Sequence, residues 1–174
     1  MSLPQKAKQW ILSIDSVSYR GEIDEFTPPK ISKKLEEFQA GDMLGAAKID
    51  VGSYEAFEGS FKAKGFASNI LPKVVASLVS GTAIRFTCAA QRDDSDTIDQ
   101  IEWYFKGRIA EADQGSITAG ELNETSFTFN ATYVRYTVNG VVKFEIDIIN
   151  LIEVANNVDL MAQIRAVLGL SSLL

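Results

Sequence analysis

The chain contains no histidine and only one cysteine, Cys88, in 174 residues. Without histidine there is no common general base, no imidazole metal ligand and no Ser-His or Cys-His dyad. A lone cysteine cannot form an internal disulfide, so nothing suggests a fold stapled for an oxidising compartment. No apolar run approaches the roughly 20 residues that span a bilayer. The opening residues Met1 to Lys8 lead only into the short apolar patch Trp10-Ile11-Leu12, with no evident signal peptide. These features together predict a soluble protein that is intracellular when made. Gly-rich phosphate loops, GxSxG elbows and Cys/His metal spacings are also missing from the sequence.

Two acidic clusters invite a chemical reading and do not sustain it. Asp93, Asp94 and Asp96 surround Ser95, but the DxDxDG spacing and the distal bidentate Glu of a calcium loop are missing. Glu145 and Asp147 stand two apart and so share one face of a strand, where two carboxylates could share a proton. That face is the polar side of a hairpin, which reads as solvated or interface-facing. No cofactor or metal is implied. The net charge of −6 makes the chain a poor candidate for gripping nucleic acid, because phosphate binding needs a Lys/Arg footprint.

What remains is ordinary globular composition, 46% apolar and 23% charged, at a length that suits one domain over residues 1–174. The dominant pattern has period two, the mark of half-buried strands. Ile101, Trp103, Phe105 and Ile109 fall on one face, opposite Glu102, Tyr104, Lys106 and Arg108. Val142, Phe144, Ile146 and Ile148 do the same opposite Lys143, Glu145 and Asp147. Asn139-Gly140 just before them supplies the positive φ angles of a tight hairpin turn. In the preceding strand Phe127, Phe129, Ala131 and Tyr133 alternate, and then the phase moves to Val134, Tyr136 and Val138. A phase switch without a breaker predicts a bulge or bend.

Further strands are expected at Val17–Phe26, Ile31–Phe38, Tyr54–Ala63 and Ala83–Gln91, the last placing Cys88 inward as a small hydrophobe. Helical spacing appears over Ser68–Val79, with Pro72 in its first turn, and over Asp159–Leu168, with Asn157 or Asp159 as N-cap and Gly169 as stop. Both helices should pack on a sheet. The Gly-rich stretch Gln39–Gly52 reads as a long loop, and such loops in compact domains are often functional. The fold class expected is mainly β, a sandwich or barrel with a flanking helix and a short C-terminal helix.

Read in order, these segments resemble the major tail tube protein of contractile-tailed phages and of the related R-type pyocins. Tyr19, Gly21, Pro29-Lys30, Lys34, Glu37, Gly41, Met43 and Ile49-Asp50-Val51-Gly52 carry the first half. Arg108, Glu111 to Asp113, Gly120-Glu121, Tyr133-Val134-Arg135-Tyr136, Asn139-Gly140, Glu145-Ile146-Asp147 and Asn150 carry the second. Asn157-Val158-Asp159-Leu160, Arg165 and Leu168-Gly169-Leu170 match the closing helix. The resemblance implies a non-enzymatic structural subunit with a tail tube fold. Six copies would form a ring whose inner strands close into one barrel, and rings would stack into a tube. Implied partners are the tail sheath, baseplate and tail terminator proteins, with DNA passing through the lumen unbound. The implied place is the tail of a virion or tail-like particle, assembled in the bacterial host cytoplasm without a membrane anchor.

Within that reading, Gly41, Asp42, Met43, Leu44 and Gly45 are the candidate ring-stacking loop, with Met43 and Leu44 as adaptable apolar anchors. Glu102, Glu145 and Asp147 are the candidate acidic residues of the lumen. A ring of six would carry a charge of about −36, which would repel DNA and keep it from sticking. Two other functions remain open at this stage. One is the ring-forming tube protein of a type VI secretion system. The other, different in kind, is a monomeric β-barrel holding a small ligand in an apolar cavity.

Overall fold

The computed structural model describes residues 3–75 and 78–170. These form a mainly β structure of one ten-stranded antiparallel sheet and one two-stranded sheet. The strands are β1 (Lys6–Ile14), β2 (Val17–Ser18), β3 (Ile23–Thr27), β4 (Lys33–Phe38), β5 (Ala47–Tyr54), β6 (Phe57–Lys64) and β7 (Thr82–Gln91). After them come β8 (Ile98–Asp113), β9 (Glu124–Val138), β10 (Val141–Asp147), β11 (Ile152–Ala155) and β12 (Val158–Asp159). The large sheet runs β12-β11-β10-β9-β8-β7-β1-β2, while β6 pairs with the first half of β9 and carries β3 on its other side. Strands β4 and β5 pair only with each other.

The phase switch in β9 is a bulge. Tyr133 pairs with Lys106 but Ala131 pairs with the next residue, Gly107, leaving Thr132 without a partner in the ladder. Phe127, Phe129 and Ala131 on one side of the bulge, and Val134 on the other, are therefore all buried despite their mismatched spacing. This lets one strand serve two sheet regions, β6 along its first half and β10 along its second. The core lies between them. Phe57, Phe61, Phe105, Phe127 and Phe129 are fully buried with Leu12, Ile14, Ile84, Ile109 and Val134. Phe26 stacks on Phe86 at 4.6 Å between ring centroids, and Phe61 on Phe127 at 5.0 Å. Each such side chain contributes about 1.5–3 kcal/mol through its burial. Cys88 is buried as well, apart from this cluster, and burial raises its thiol pKa.

Several expectations change. The flanking helix over Ser68–Val79 does not form; the segment makes a short 3-10 turn over Leu71–Val75, and Ala76 and Ser77 lie outside the described residues. Only Ile70 is fully buried there, with Leu71 and Val74 against the core, whereas Val75, Leu78 and Val79 are exposed. Helical spacing alone does not hold a short helix in water without a packed face. The C-terminal helix α1 is shorter than expected, Ala162–Val167, because Val158 and Asp159 are taken by β12. Gly169 does end it, with φ of +74°.

The stretch Gln39–Gly52 is only half a loop, since Ala47–Gly52 belongs to β5. Val17–Phe26 is broken into β2 and β3 by a turn at Gly21, and Tyr54–Ala63 is divided at Glu55-Ala56 between β5 and β6. The apolar patch Trp10-Ile11-Leu12 is the middle of β1, a strand absent from the sequence reading. A bulge between Val142 and Phe144 takes Val142 out of phase with Phe144 and Ile146, and Ile148 lies exposed beyond the end of β10.

Candidate functional site and assembly surfaces

Strands β7 to β10 present one broad polar face. Residues opposite each other in a ladder share a face, which makes three rows across the sheet. One row runs Glu145–Arg135–Tyr104–Arg85, a second Asp147–Tyr133–Lys106, and a third Thr137–Glu102–Thr87. The three candidate acidic residues thus share a face, as their alternation implied. The same rows hold Arg85, Lys106 and Arg135, equal in number to the acids, and Arg108 adds a further cation along the same face of β8.

Each carboxylate is also engaged. Glu102 is 8% exposed and accepts from Arg85 Nε at 2.9 Å and Nη2 at 2.6 Å. Glu145 accepts the Tyr133 hydroxyl at 2.6 Å; burial, then this bond, raises the Tyr133 pKa. Asp147 accepts the N–H groups of Ile149 and Asn150, both at 3.0 Å, and so shapes the turn after β10. Glu145 and Asp147 therefore do different jobs and form no acid pair. Arg135 lies 5.2 Å over the Tyr104 ring, and Lys106 5.3 Å over the Tyr133 ring. Lys106 is placed on this face by the same alternation that gives Glu102, while Arg85 and Arg135 join it through the cross-strand ladders.

The acidic turn after β7 has a structural task. Asp93 bridges Lys6 at 2.9 Å and Lys8 at 3.1 Å, which together hold its carboxyl below the usual range. Asp94 accepts the Leu3 N–H at 3.0 Å. Both tie the start of β1 to the end of β7.

Strands β4 and β5 form an arm in which every residue but Tyr54 is exposed. Phe38, Ile49 and Val51 lie on one side of it, each about half exposed, and Leu35 on the other. The candidate stacking residues Gly41 to Gly45 are its tip. Met43 folds back, its Sδ accepting the Ala40 N–H at 3.3 Å and its own N–H donating to the Ala40 carbonyl at 3.1 Å. Leu44 is fully exposed and Gly41, Asp42 and Gly45 are open to solvent. The tip thus offers Leu44 outward and keeps Met43 half-buried.

Helix α1 is turned inside out. Its cation Arg165 is 4% exposed, donates to the Leu151 carbonyl at 2.9 Å and pairs with Asp159. Ile164, Val167 and Leu168 point away from the body, Val167 at 88% exposure. Among the described residues nothing covers this apolar face, which makes it a candidate contact surface.

The match to a family model of "Phage tail tube protein FII" runs over residues 4–169. The chain belongs to that family. It is a structural tail tube protein and not an enzyme. It is 34% identical to the "Tail tube protein" of Escherichia phage P2 over 98% of this chain and all of that one. With the "Major tail tube protein" of Serratia phage KSP20 it shares 27% identity over 87% of this chain and 88% of that one. Its fold resembles a chain of the cryo-EM structure of an extracellular contractile injection system, the PVC sheath-tube complex in its extended state. The TM-score is 0.59 at 13% identity, over 77% of this chain and 91% of that one. In this tail tube protein, then, the arm, the polar four-strand face and the inverted helix are the candidate contact surfaces.

Proposed function

We propose that this tail tube protein builds the inner tube of a contractile phage tail or tail-like particle, with six copies per ring and rings stacked head to tail. The observation that carries the proposal is the β4–β5 arm, which exposes Leu35, Phe38, Leu44, Ile49 and Val51 and packs along almost none of its length on its own subunit. Such an arm has a use only where another copy receives it, and a subunit whose giving and receiving surfaces differ stacks with polarity. Gly41 to Gly45 at the tip make the stacking contact, led by Leu44.

The polar face of β7 to β10 lines the lumen. Closing sheet edges between neighbouring copies removes the hazard of unpaired strands, including the outer edge of β1 from Lys6 to Leu12, where β2 pairs only Ser13 and Ile14. With acids and cations equal in number in its three rows and Arg108 beyond them, this lining would not repel DNA phosphates strongly. Passage without sticking then rests on a polar wall whose charged side chains are already engaged, Glu102 by Arg85, Glu145 by Tyr133, Asp147 by backbone N–H groups, and Arg135 and Lys106 over tyrosine rings. The excess negative charge of the chain belongs to other surfaces. The tail sheath, baseplate and tail terminator proteins are the partners of the outer and end surfaces, in the tail of a particle assembled in the host cytoplasm.

Particles purified from producing cells test the reading. The protein should fractionate with sheath protein in tail-like particles; recovery only as a free subunit, away from every particle, would oppose it.

A further inference from the structure

Glu153 occupies a position where an apolar residue is expected. It lies opposite Ile146 in the β10–β11 ladder, on the core side of the sheet, and is 7% exposed. A carboxylate in such a place needs compensating partners. Its side-chain partners among the described residues come from the arm. The Tyr54 hydroxyl donates to Glu153 Oε1 at 2.7 Å, and Lys33 Nζ lies 3.1 Å from the same oxygen.

Lys33 and Tyr54 are register partners at the root of the arm, one at the start of β4 and the other at the end of β5. Lys33 also reaches Asp50, within the arm, at 3.2 Å and sits 5.4 Å over the Tyr54 ring. One ammonium group thus links an arm carboxylate to a body carboxylate, and one phenol closes the triangle. Beyond this joint the described residues give the arm little support: all fourteen of its strand residues except Tyr54 are exposed.

We propose that Lys33, Tyr54 and Glu153 are positioning residues that fix the angle at which the β4–β5 arm leaves the body, and so present its tip ready-oriented to the next copy. The inference rests on the stacking role given to the arm. An arm held by two strand ends alone would sweep a cone, and each docking event would have to restrict that motion. A joint made of a buried carboxylate, a lysine and a tyrosine restricts it beforehand, once, during folding. The choice of residues suits the task, because a buried charge pairs only in a narrow geometry where an apolar contact would slide. Glu153 is thus a specificity device for arm direction.

The test uses the full chain with spin labels on cysteines placed at Leu44→Cys in the arm tip and Glu58→Cys on the exposed side of β6. Cys88 is buried and does not compete for label. Dispersed subunits should give a narrow distance distribution, and Glu153→Gln should broaden it at least twofold. Because Glu153 is buried, Lys33→Met supplies the same test from the exposed side of the joint, and should broaden it too. In unlabelled protein both changes should raise the concentration needed for tube growth about tenfold or more, measured well below the thermal midpoint of each variant. An unchanged distance distribution in both variants would overturn the joint. A broadened distribution with unaltered tube growth would leave the joint standing and count against the arm as the stacking element.

Discussion

Gly107 is packed against Asn130 so closely that a Cβ on Gly107 would lie 2.0 Å from the Asn130 carbonyl oxygen. The contact sits beside the Thr132 bulge, where β9 changes the sheet region it serves. A side chain at Gly107 would meet backbone on the neighbouring strand, which cannot rotate away. Gly107→Ala should therefore cost about 3 kcal/mol or more in a urea unfolding experiment, or prevent soluble folding. Gly120→Ala is the control. Its φ of +85° is unfavourable for alanine, but nothing lies within 4 Å, so about 1 kcal/mol is expected. Equal costs at the two sites would mean that the bend does not depend on this close approach.

The sequence disclosed this bend because the information is local. Ala131 and Val134 are three apart, both buried, and no two-residue alternation can bury both without an extra residue between them. The Asn139-Gly140 turn was legible for a similar reason, both residues taking positive φ. Elements whose existence depends on a distant partner were not. Leu71, Val74 and Val75 have helical spacing, yet only Leu71 and Val74 find core to pack on, and the chain makes a 3-10 turn that leaves Val75 in water. Ala47–Gly52 looked like loop because its glycine and charges hide a ladder to β4 that only pairing reveals. Glu153 carried no signal at all: its role appears only when Lys33 and Tyr54 are brought to it from about a hundred residues away. The family was legible from the order of small motifs, while the balance of charge on the polar face needed the cross-strand rows.

The inverted C-terminal helix carries a pH dependence. Arg165 first, then the Met161 N–H, hold the Asp159 carboxyl below its ordinary range. A carboxyl depressed in the folded state stabilises it above the unfolded-state pKa, about 3.9, and that contribution is lost as pH falls through the lower folded value. Wild type should thus be more stable than Asp159→Asn at pH 6, with the difference shrinking towards zero as the pH drops below about 4. Urea midpoints of both proteins across that range measure it. A difference constant with pH would show that the pair is held by geometry and not by charge.

Leu44 separates assembly from folding. It is fully exposed, so Leu44→Asp should leave the thermal midpoint of the dispersed subunit within about 2 °C of wild type. Tube growth followed by light scattering should nonetheless fall at least tenfold. Growth at the wild-type rate would remove Leu44 from the stacking contact.

Glu145 tests the lumen. Glu145→Gln still offers the Tyr133 hydroxyl an acceptor, so rings and tubes should form normally. It also leaves Arg135, its neighbour across the ladder, without the facing negative charge. The wall then becomes one charge more positive per subunit, and DNA delivery by particles carrying the variant should slow several-fold, more so at low salt. Delivery unaffected at every salt concentration would mean that the charge balance of this face is irrelevant to passage.

The central claim is self-assembly into a hollow tube, and negative-stain electron microscopy of the concentrated protein, paired with its mass in solution, tests it most directly. Rings or tubes with an axial hole, and a solution mass that is a multiple of six subunits, are the predicted result. A 19.1 kDa species at every concentration, without rings, would contradict it.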